Sequence, residues 1–396
     1  MSINIGLSAA QLTDYWRMLW SPHRIKIDAH ILDLNHNFLQ DVSDRFVSGQ
    51  VNFDVNQDVT RTASISLADP DKSLAIYGGY ETYMKRMVQL YYSISDPMGA
   101  YWYTTPVFCG PITNFDQDEI FANINLAGKD SLAYGSVWNP KTFPKGTLVT
   151  DIIRWILVNQ IGENRFNIPN SGKKVTKDYA MQRDAIPWKA LKQLYSMLGY
   201  VIFFDGRGDL QYRTGAGDPV AGFANHQLLS KPKVAFSPEG FANSVWVEGG
   251  DPKGDKTIVR GFAELYAAHP FSAYSLGRND VPRYYTKQVS DSSIVDPDDA
   301  ANTAVTELLK SIYLNINAQW DGVPYPLLEE YDVYQIATPE LYATFRFNQG
   351  TLPLTHDATM SMGYSKKVAN SVIRKRVRRK GKKYGHEKKP KKGGKK

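Results

Sequence analysis

The chain reads as a mainly β protein of the α+β class. Period-two alternation of apolar residues, rich in β-branched side chains, recurs between short turn signals over about the first 135 residues. Helical periodicity is confined to three later segments. The composition, 42% hydrophobic and 12% aromatic with 24 tyrosines, is that of a folded chain, far from the low hydrophobicity of disorder. At 396 residues the sequence exceeds one ordinary core, so two to four domains are expected.

The first strand is the clearest. In Arg24 to Leu32 the residues Ile25, Ile27, Ala29 and Ile31 fall on one face. Val51, Phe53 and Val55 repeat the pattern, as do Ala63, Ile65 and Leu67 in TRTASISLADPD, which ends at an Asp-Pro-Asp turn. Further strands are expected at Met87 to Ile94, Trp102 to Phe108 and Ile120 to Leu126, the last two joined across NFDQDE. Strands in this number with no long helix among them predict a closed barrel or a sandwich.

From Thr147 the period changes. Leu148, Ile152, Ile153, Ile156, Leu157 and Ile161 share a helical face, with Gly162 as the stop. A second helix is expected from Pro187 to Leu198, because proline suits a first helical turn and Leu191, Leu194, Tyr195 and Leu198 form a stripe ended by Gly199. YVIFFDGRGDLQYR follows as two strands around Asp205-Gly206-Arg207-Gly208-Asp209, whose glycines admit the positive φ of a hairpin. NSVWVE, from Asn243, reads as a strand. A third helix begins near Pro297, Asp298 and Asp299, whose carboxylates favour the positive end of the dipole, and it buries Val305, Leu308, Leu309 and Ile312. Strands near Asp332 to Ile336, Tyr342 to Phe347 and Thr359 to Met362 complete a second β region, whereas Phe262 to Ser290 gives no firm assignment.

The formal net charge of +7 conceals an asymmetry. Lys366 to Lys396 hold 16 Lys or Arg and one acid, Glu387, a net of +15, which leaves residues 1–365 with 31 basic against 39 acidic side chains, net −8. An acidic body carries a basic tail. A cluster of cations of this density suits a polyanion, since each one that meets a phosphate releases counterions. The candidate polyanion-binding residues are Arg374, Lys375, Arg376, Arg378, Arg379, Lys380, Lys382 and Lys383; the bland alternative is a solubilising tail with no fixed partner.

Catalytic signatures are lacking. The seven histidines form no His-x-x-x-His or His-x-His pair, and there is no Gly-x-Ser-x-Gly elbow, phosphate-binding glycine loop or His-Glu-x-x-His. Asp205-Gly206-Arg207-Gly208-Asp209 begins like a calcium loop but lacks the later bidentate Glu, so a hairpin turn is expected. The carboxylate pairs Asp116/Asp118 and Asp298/Asp299 sit where solvated or capping groups belong, not glycosidase acids. The lone Cys109 excludes an intrachain disulfide framework. No stretch reads as a signal peptide or membrane span, and cytoplasmic synthesis is expected.

Three segments carry a resemblance. FVSGQVNFDVNQDVTRTASISLADPD, with its "R-T-x-S-I-x-L-x-D" strand, and FCGPITNFDQDEIFANINLAGKDSL, with a "F-x-G-x-I" strand and a strand ending in "G-K-D", resemble the tail hub and minor tail proteins of long-tailed phages. The segment from Gly162 to Arg213, a polar stretch, Pro-Trp, a helix, Gly and a strand-turn-strand with Asp-Gly, is similar to the insertion domain of the same family, itself related to the baseplate hub of contractile-tailed phages. NSVWVEGG and LEEYDVYQIA stand where such proteins resume their second barrel. The resemblance spans roughly residues 20 to 365, and the basic tail departs from it.

What the resemblance implies is a mainly β (α+β) fold with two tube-like β-barrel domains, an inserted small α+β domain and a basic C-terminal tail. The expected divisions are an arm at 1–20, a first barrel at 21–140, the insertion at 141–232, a second barrel with one helix at 233–365 and the tail at 366–396. It implies a homotrimer forming a hub ring at the virion tail tip and guiding genomic DNA during ejection. Its partners would be the distal tail protein ring, the tape measure protein and tip fibres or a spike. No catalytic residue, metal or cofactor is implied. Two rival readings stand beside it: a nucleic-acid-binding protein acting through the basic tail, and a cell-wall-binding or hydrolytic tail-associated protein.

Overall fold

The computed structural model describes residues 7–74, 85–214, 219–224, 227–230, 233–237, 240–251, 258–311, 315–338, 342–356, 358–366 and 373–377. Strand accounts for 41% and helix for 18%, so the mainly β reading holds. The chain divides into two compact units, one of Met1–Ser237 with Asn315–Lys367, the other of Pro238–Leu314 with Val368–Lys396.

The first unit opens with helix α1 (Ala9–Leu19), in the stretch expected to be an arm. A capping box starts it: the Gln11 amide donates to the Ser8 hydroxyl and the Ser8 amide donates to the Gln11 side chain. Tyr15 and Leu19 are buried, and Trp16 stacks on Tyr325 at 4.8 Å. Strands β1 (Arg24–Asp33), β2 (Phe38–Asp41), β3 (Phe46–Asp54), β4 (Arg61–Ala68), β5 (Arg86–Ser95), β6 (Trp102–Gln117) and β7 (Phe121–Ala127) follow. The alternation read from sequence is the burial observed: Ile27, Ala29 and Ile31 on β1, and Ala63, Ile65 and Leu67 on β4, all enter the core.

Next come β8 (Lys141–Phe143), helix α2 (Val149–Ile156), β9 (Tyr179–Met181), helix α3 (Pro187–Met197), β10 (Tyr200–Phe204) and β11 (Leu210–Thr214). The α2 helix passes into a π turn over Leu157–Ile161 and stops at Gly162, whose φ is +76°. Gly199 follows α3 with φ +86°. Both helices bury the expected stripes, Ile152, Ile153 and Ile156 against Leu191, Leu194 and Tyr195, and Trp188 stacks on Phe204 at 5.5 Å. This is a small core of its own, with β10 and β11 as the predicted hairpin.

After β12 (Ala221–Ala224) and β13 (Lys233–Ser237) the chain builds the second unit from β14 (Ser244–Glu248), β15 (Arg260–Leu265), β16 (Thr286–Ser290) and helix α4 (Pro297–Ser311). It returns to the first unit through β17 (Asn315–Gly322), β18 (Val333–Ala337), β19 (Tyr342–Pro353) and β20 (Met360–Lys366), and to the second with β21 (Ile373–Val377).

In the first unit the strands form one 13-stranded sheet, ordered β13-β17-β20-β19-β3-β4-β7-β6-β5-β1-β2, with β18 joined to β19 and β12 to β18. The path is open at β13 and β2. This corrects the expectation of two separate closed barrels, and β19 is the reason. Its first half pairs with β18 and its last residues, Gln349 to Pro353, pair with Gln50 to Asp54 of β3, while β20 runs along its other edge. One twelve-residue strand therefore fuses both strand sets, and Val51 and Phe53 share a core with Phe345, Phe347 and Leu352.

The second unit is a four-stranded sheet, β16-β14-β15-β21, covered by α4. Asp296 caps the helix by accepting from the amides of Asp298 and Asp299. The core joins Val245, Val247, Ala263 and Leu265 to Ala300, Ala304 and Leu308; Ile312, expected on the same stripe, lies outside the described residues. Close approach of helix to strand requires Gly261, where a Cβ would stand 2.3 Å from the Ala300 carbonyl carbon. Gly261→Ala is expected to destabilise this unit by about 1–3 kcal/mol by forcing the helix outward. Urea unfolding checks this against Gly222→Ala, a position with nothing within 4 Å.

Candidate functional site

Charged residues scattered over 270 positions of sequence meet inside the first unit. Arg61, at the start of β4, donates through Nε to Glu330 at 2.9 Å, through Nη2 to both Glu329 and Glu330, and through Nη1 to the Val107 carbonyl at 3.1 Å. Its guanidinium also lies 4.8 Å over the Phe53 ring. All three side chains are buried. The hairpin turn of β10 and β11 reaches the same cluster, since the Gly206 amide donates to Glu329 at 3.2 Å. Arg213 on β11 pairs with the fully buried Asp332 and covers the Phe203 ring at 5.1 Å. Asp332 in turn accepts from the Glu329 amide at 2.9 Å, closing the turn that precedes β18.

A second knot lies around Lys129. Its Nζ sits 2.5 Å from the Glu163 carboxylate, donates to the Gly208 carbonyl at 2.9 Å and lies 2.8 Å from His36 Nε2. Arg165 Nη1 lies 2.7 Å from His36 Nδ1, and Arg165 Nε is 2.5 Å from Asp209. Burial and these two cations push His36 down to about 3, so the imidazole is neutral. Cys109, 3.9 Å from the same ring, is pushed up to about 12 by burial and is a thiol. Beside it Asp130 accepts from the Thr60 amide at 2.8 Å, and burial raises it to about 6.

The turn Asp205 to Asp209 is the hairpin expected. Asp205 accepts from the amides of Arg207 and Asp209 and from the Gln211 side chain, all near 3 Å. Burial raises its carboxyl. Among the described residues no group of His, Cys, Asp and Glu is placed to hold a metal ion.

Sequence reasoning missed these clusters, although their members lie within the quoted motifs. Arg61 opens "R-T-x-S-I-x-L-x-D", Lys129 and Asp130 are the "K-D" of "G-K-D", Glu329, Glu330 and Asp332 belong to LEEYD, and Asp205 starts the hairpin turn. A charge beside an apolar strand was the available signal; only the fold brings the four segments together.

Of the predicted polyanion-binding residues, Arg374, Lys375 and Arg376 lie on β21, while Arg378, Arg379, Lys380, Lys382 and Lys383 lie outside the described residues. The β21 strand pairs antiparallel with β15, placing Arg374 opposite Glu264 and Arg376 opposite Phe262. In the first unit the terminal strand β2 is exposed at every residue, with Phe38 60% and Leu39 48% accessible.

No family model matches the chain, and no curated protein matches it by sequence. Solved structures do match. The prophage MuSo2 43 kDa tail protein from Shewanella oneidensis aligns over 89% of this chain and 100% of its own, at 11% identity and a TM-score of 0.60. The tail protein from Neisseria meningitidis aligns over 86% and 97%, at 12% identity and a TM-score of 0.56. The chain has the fold of these phage tail proteins. The tail-protein fold also aligns with a chain of the Francisella PdpA-VgrG complex, over 90% of this chain and 54% of that one, at 9% identity and a TM-score of 0.53. Among the described residues no helix is long and apolar enough to cross a membrane.

In this tail-protein fold one guanidinium serves two buried carboxylates, so one negative charge is left over. Burial first, then the neighbouring Glu330 and Asp205, push Glu329 up to about 8 despite Arg61. A carboxyl raised in the folded state binds its proton more tightly there than in the unfolded chain. Its contribution to stability therefore falls as pH rises from the ordinary carboxylate range to about 8. His36 runs the other way, costing stability as pH falls below about 6.5. Between about pH 6.5 and 8 Glu329 is expected to give stability a falling slope, and Glu329→Gln reduces that slope in urea midpoints measured across the range. Arg61→Met, which removes the cation shared by buried Glu329 and Glu330, is expected to cost about 3–5 kcal/mol; a loss under 1 kcal/mol in the same assay refutes the role given to the cluster.

Proposed function

We propose that this chain is a structural component of a phage tail tip, three copies of which form a hub ring that extends or closes the tail tube and guides DNA during ejection. The observation that carries the reading is the end-to-end match of fold with the Shewanella tail protein, 89% of this chain against all of the other. In this reading the set β1–β7 and the set β12, β13 and β17–β20, joined through β19 in one open sheet, give two strand sets per subunit, six in a trimer, suited to a hexameric tail tube. The segment 141–232 serves as the inserted lobe. The ring's neighbours are the distal tail protein ring, the tape measure protein and tip fibres or a spike. A net charge of −8 over residues 1–365 suits a channel wall that repels DNA. The chain acts without catalysis in this role.

Light scattering of the purified full-length chain, with negative-stain imaging of the same sample, tests the proposal. Three subunits around a central hole are expected, alone or on addition of the neighbouring tail ring protein. A monomer that persists with that partner present sinks it.

The basic segment supports a second reading, polyanion contact through Arg374, Lys375, Arg376 and the cations that follow. Three of these residues belong to a paired strand, so two deletions separate affinity from folding. Removal of 378–396 is expected to weaken duplex DNA binding and flatten its dependence on salt while leaving thermal unfolding unchanged. Removal of 366–396 also takes away β21 and lowers the unfolding temperature. Equal DNA binding by the full chain and by the chain ending at 377 counts against the second reading.

A further inference from the structure

A cavity of about 450 Å3 opens in the first unit between the sheet and the loops that carry Arg165 and Arg207. The sheet side belongs to the face opposite the core. On β1, Ile27, Ala29 and Ile31 point inward and His30 lies on the alternate face, in register with Gln89 of β5, two residues before Tyr91. The cavity is lined by His30, Tyr91 and Thr104 from three neighbouring strands, by His36 from the turn between β1 and β2, and by the two arginines. Among the residues that line it none is acidic.

We propose that this cavity binds an oxyanion, a carboxylate or a phosphate group, between the guanidinium groups of Arg165 and Arg207. Their arrangement is set before any ligand arrives. Arg165 is held by Asp209 on Nε, and its Nη1 lies 2.7 Å from His36 Nδ1. Arg207 rides on the hairpin turn, where its amide donates to Asp205 at 2.9 Å. That turn is pressed on the sheet: a Cβ at Gly206 would stand 2.2 Å from the Pro106 carbonyl oxygen, and the Gln89 amide donates to the Gly206 carbonyl at 2.7 Å. The height of Arg207 above β5 and β6 is therefore fixed by backbone contact. Both arginines line the cavity together with Tyr91, and both guanidinium groups bear electrostatically on its hydroxyl.

The chemistry of the walls selects the ligand. Arginine offers paired N–H donors that match the two oxygens of a carboxylate or phosphate. His36 is neutral, and His30, Tyr91 and Thr104 add polar groups that can donate without a competing carboxylate in the lining. A volume of about 450 Å3 exceeds one ion and leaves room for the group that bears it. Phe38 and Leu32 furnish an apolar rim for that group.

Isothermal titration of the full-length chain tests this, with inorganic phosphate and with glutarate as separate probes against chloride at constant ionic strength. Saturable one-site binding of at least one probe is expected. Arg207→Gln should weaken it roughly tenfold or more, with Arg207→Lys in between. Arg207 is half-buried on a turn, so thermal unfolding should be unchanged in both variants; Arg165→Gln supplies an independent loss through the second guanidinium. Binding of phosphate alone assigns the site to phosphate groups, and binding of glutarate alone assigns it to carboxylates. No saturable heat with either probe, or affinity unchanged in both Arg207→Gln and Arg165→Gln, overturns the proposal.

Discussion

The first unit depends on one buried guanidinium. Arg61 stands at the start of β4 in the middle of the 13-stranded sheet, and Glu329 and Glu330 come from the turn that leads into β18 almost 270 residues later. Each of the three would be costly alone in a buried site, because water is gone and the charge has no other partner. Together they are paired, with the turn bonded to Arg61 of β4 and the Arg61 Nη1 bonded to the Val107 carbonyl of β6. A hydrophobic replacement could bury as much area, but it would tolerate sliding. The ionic cluster sets position where the apolar core alone sets only proximity.

That constraint extends to the β10–β11 hairpin and the small core around it. The Gly206 amide, at the tip of the β10–β11 hairpin, bonds Glu329, and Arg213 at the end of the same hairpin bonds Asp332. The lobe has its own apolar core around Trp188 and Leu191, so burial explains why it folds. Burial does not explain its orientation on the sheet. Polar contacts do, with Lys129 reaching Glu163 and the Gly208 carbonyl as a second fixed point. Two charged anchors on one hairpin determine both where the lobe sits and which way it faces. The placement of Arg165 and Arg207 over the outer sheet face is a consequence.

How much of this was legible in the sequence follows from the range of the interactions. Ile27, Ala29 and Ile31, or Ala63, Ile65 and Leu67, announce a half-buried strand because alternation is a local property. The stripes of α2 and α3 and their glycine stops are local too, and they were read correctly. The neighbours of a strand are not local. Nothing in the residues of β19 says that Gln349 to Pro353 will pair with β3, so two barrels were expected where one open sheet exists. The capping box at Ser8 and Gln11 was legible and was passed over, since a short helix near a terminus competes with the simpler reading of an arm. The charged cluster was half legible: each motif containing its members stood out, but their convergence required the fold.

The basic segment shows the same division between composition and structure. By composition, residues 366–396 form one block, a run of cations after an acidic body. By pairing, Ile373 to Val377 belong to the sheet of the second unit, antiparallel to β15. The register sets Ile373, Lys375 and Val377 opposite Leu265, Ala263 and Gly261, residues of the face that packs on α4, and sets Arg374 and Arg376 opposite Glu264 and Phe262 on the other face. A paired strand thus lies inside a charge run. The pairing gives part of the basic segment a fixed place in a β-sheet, with position 374 opposite Glu264.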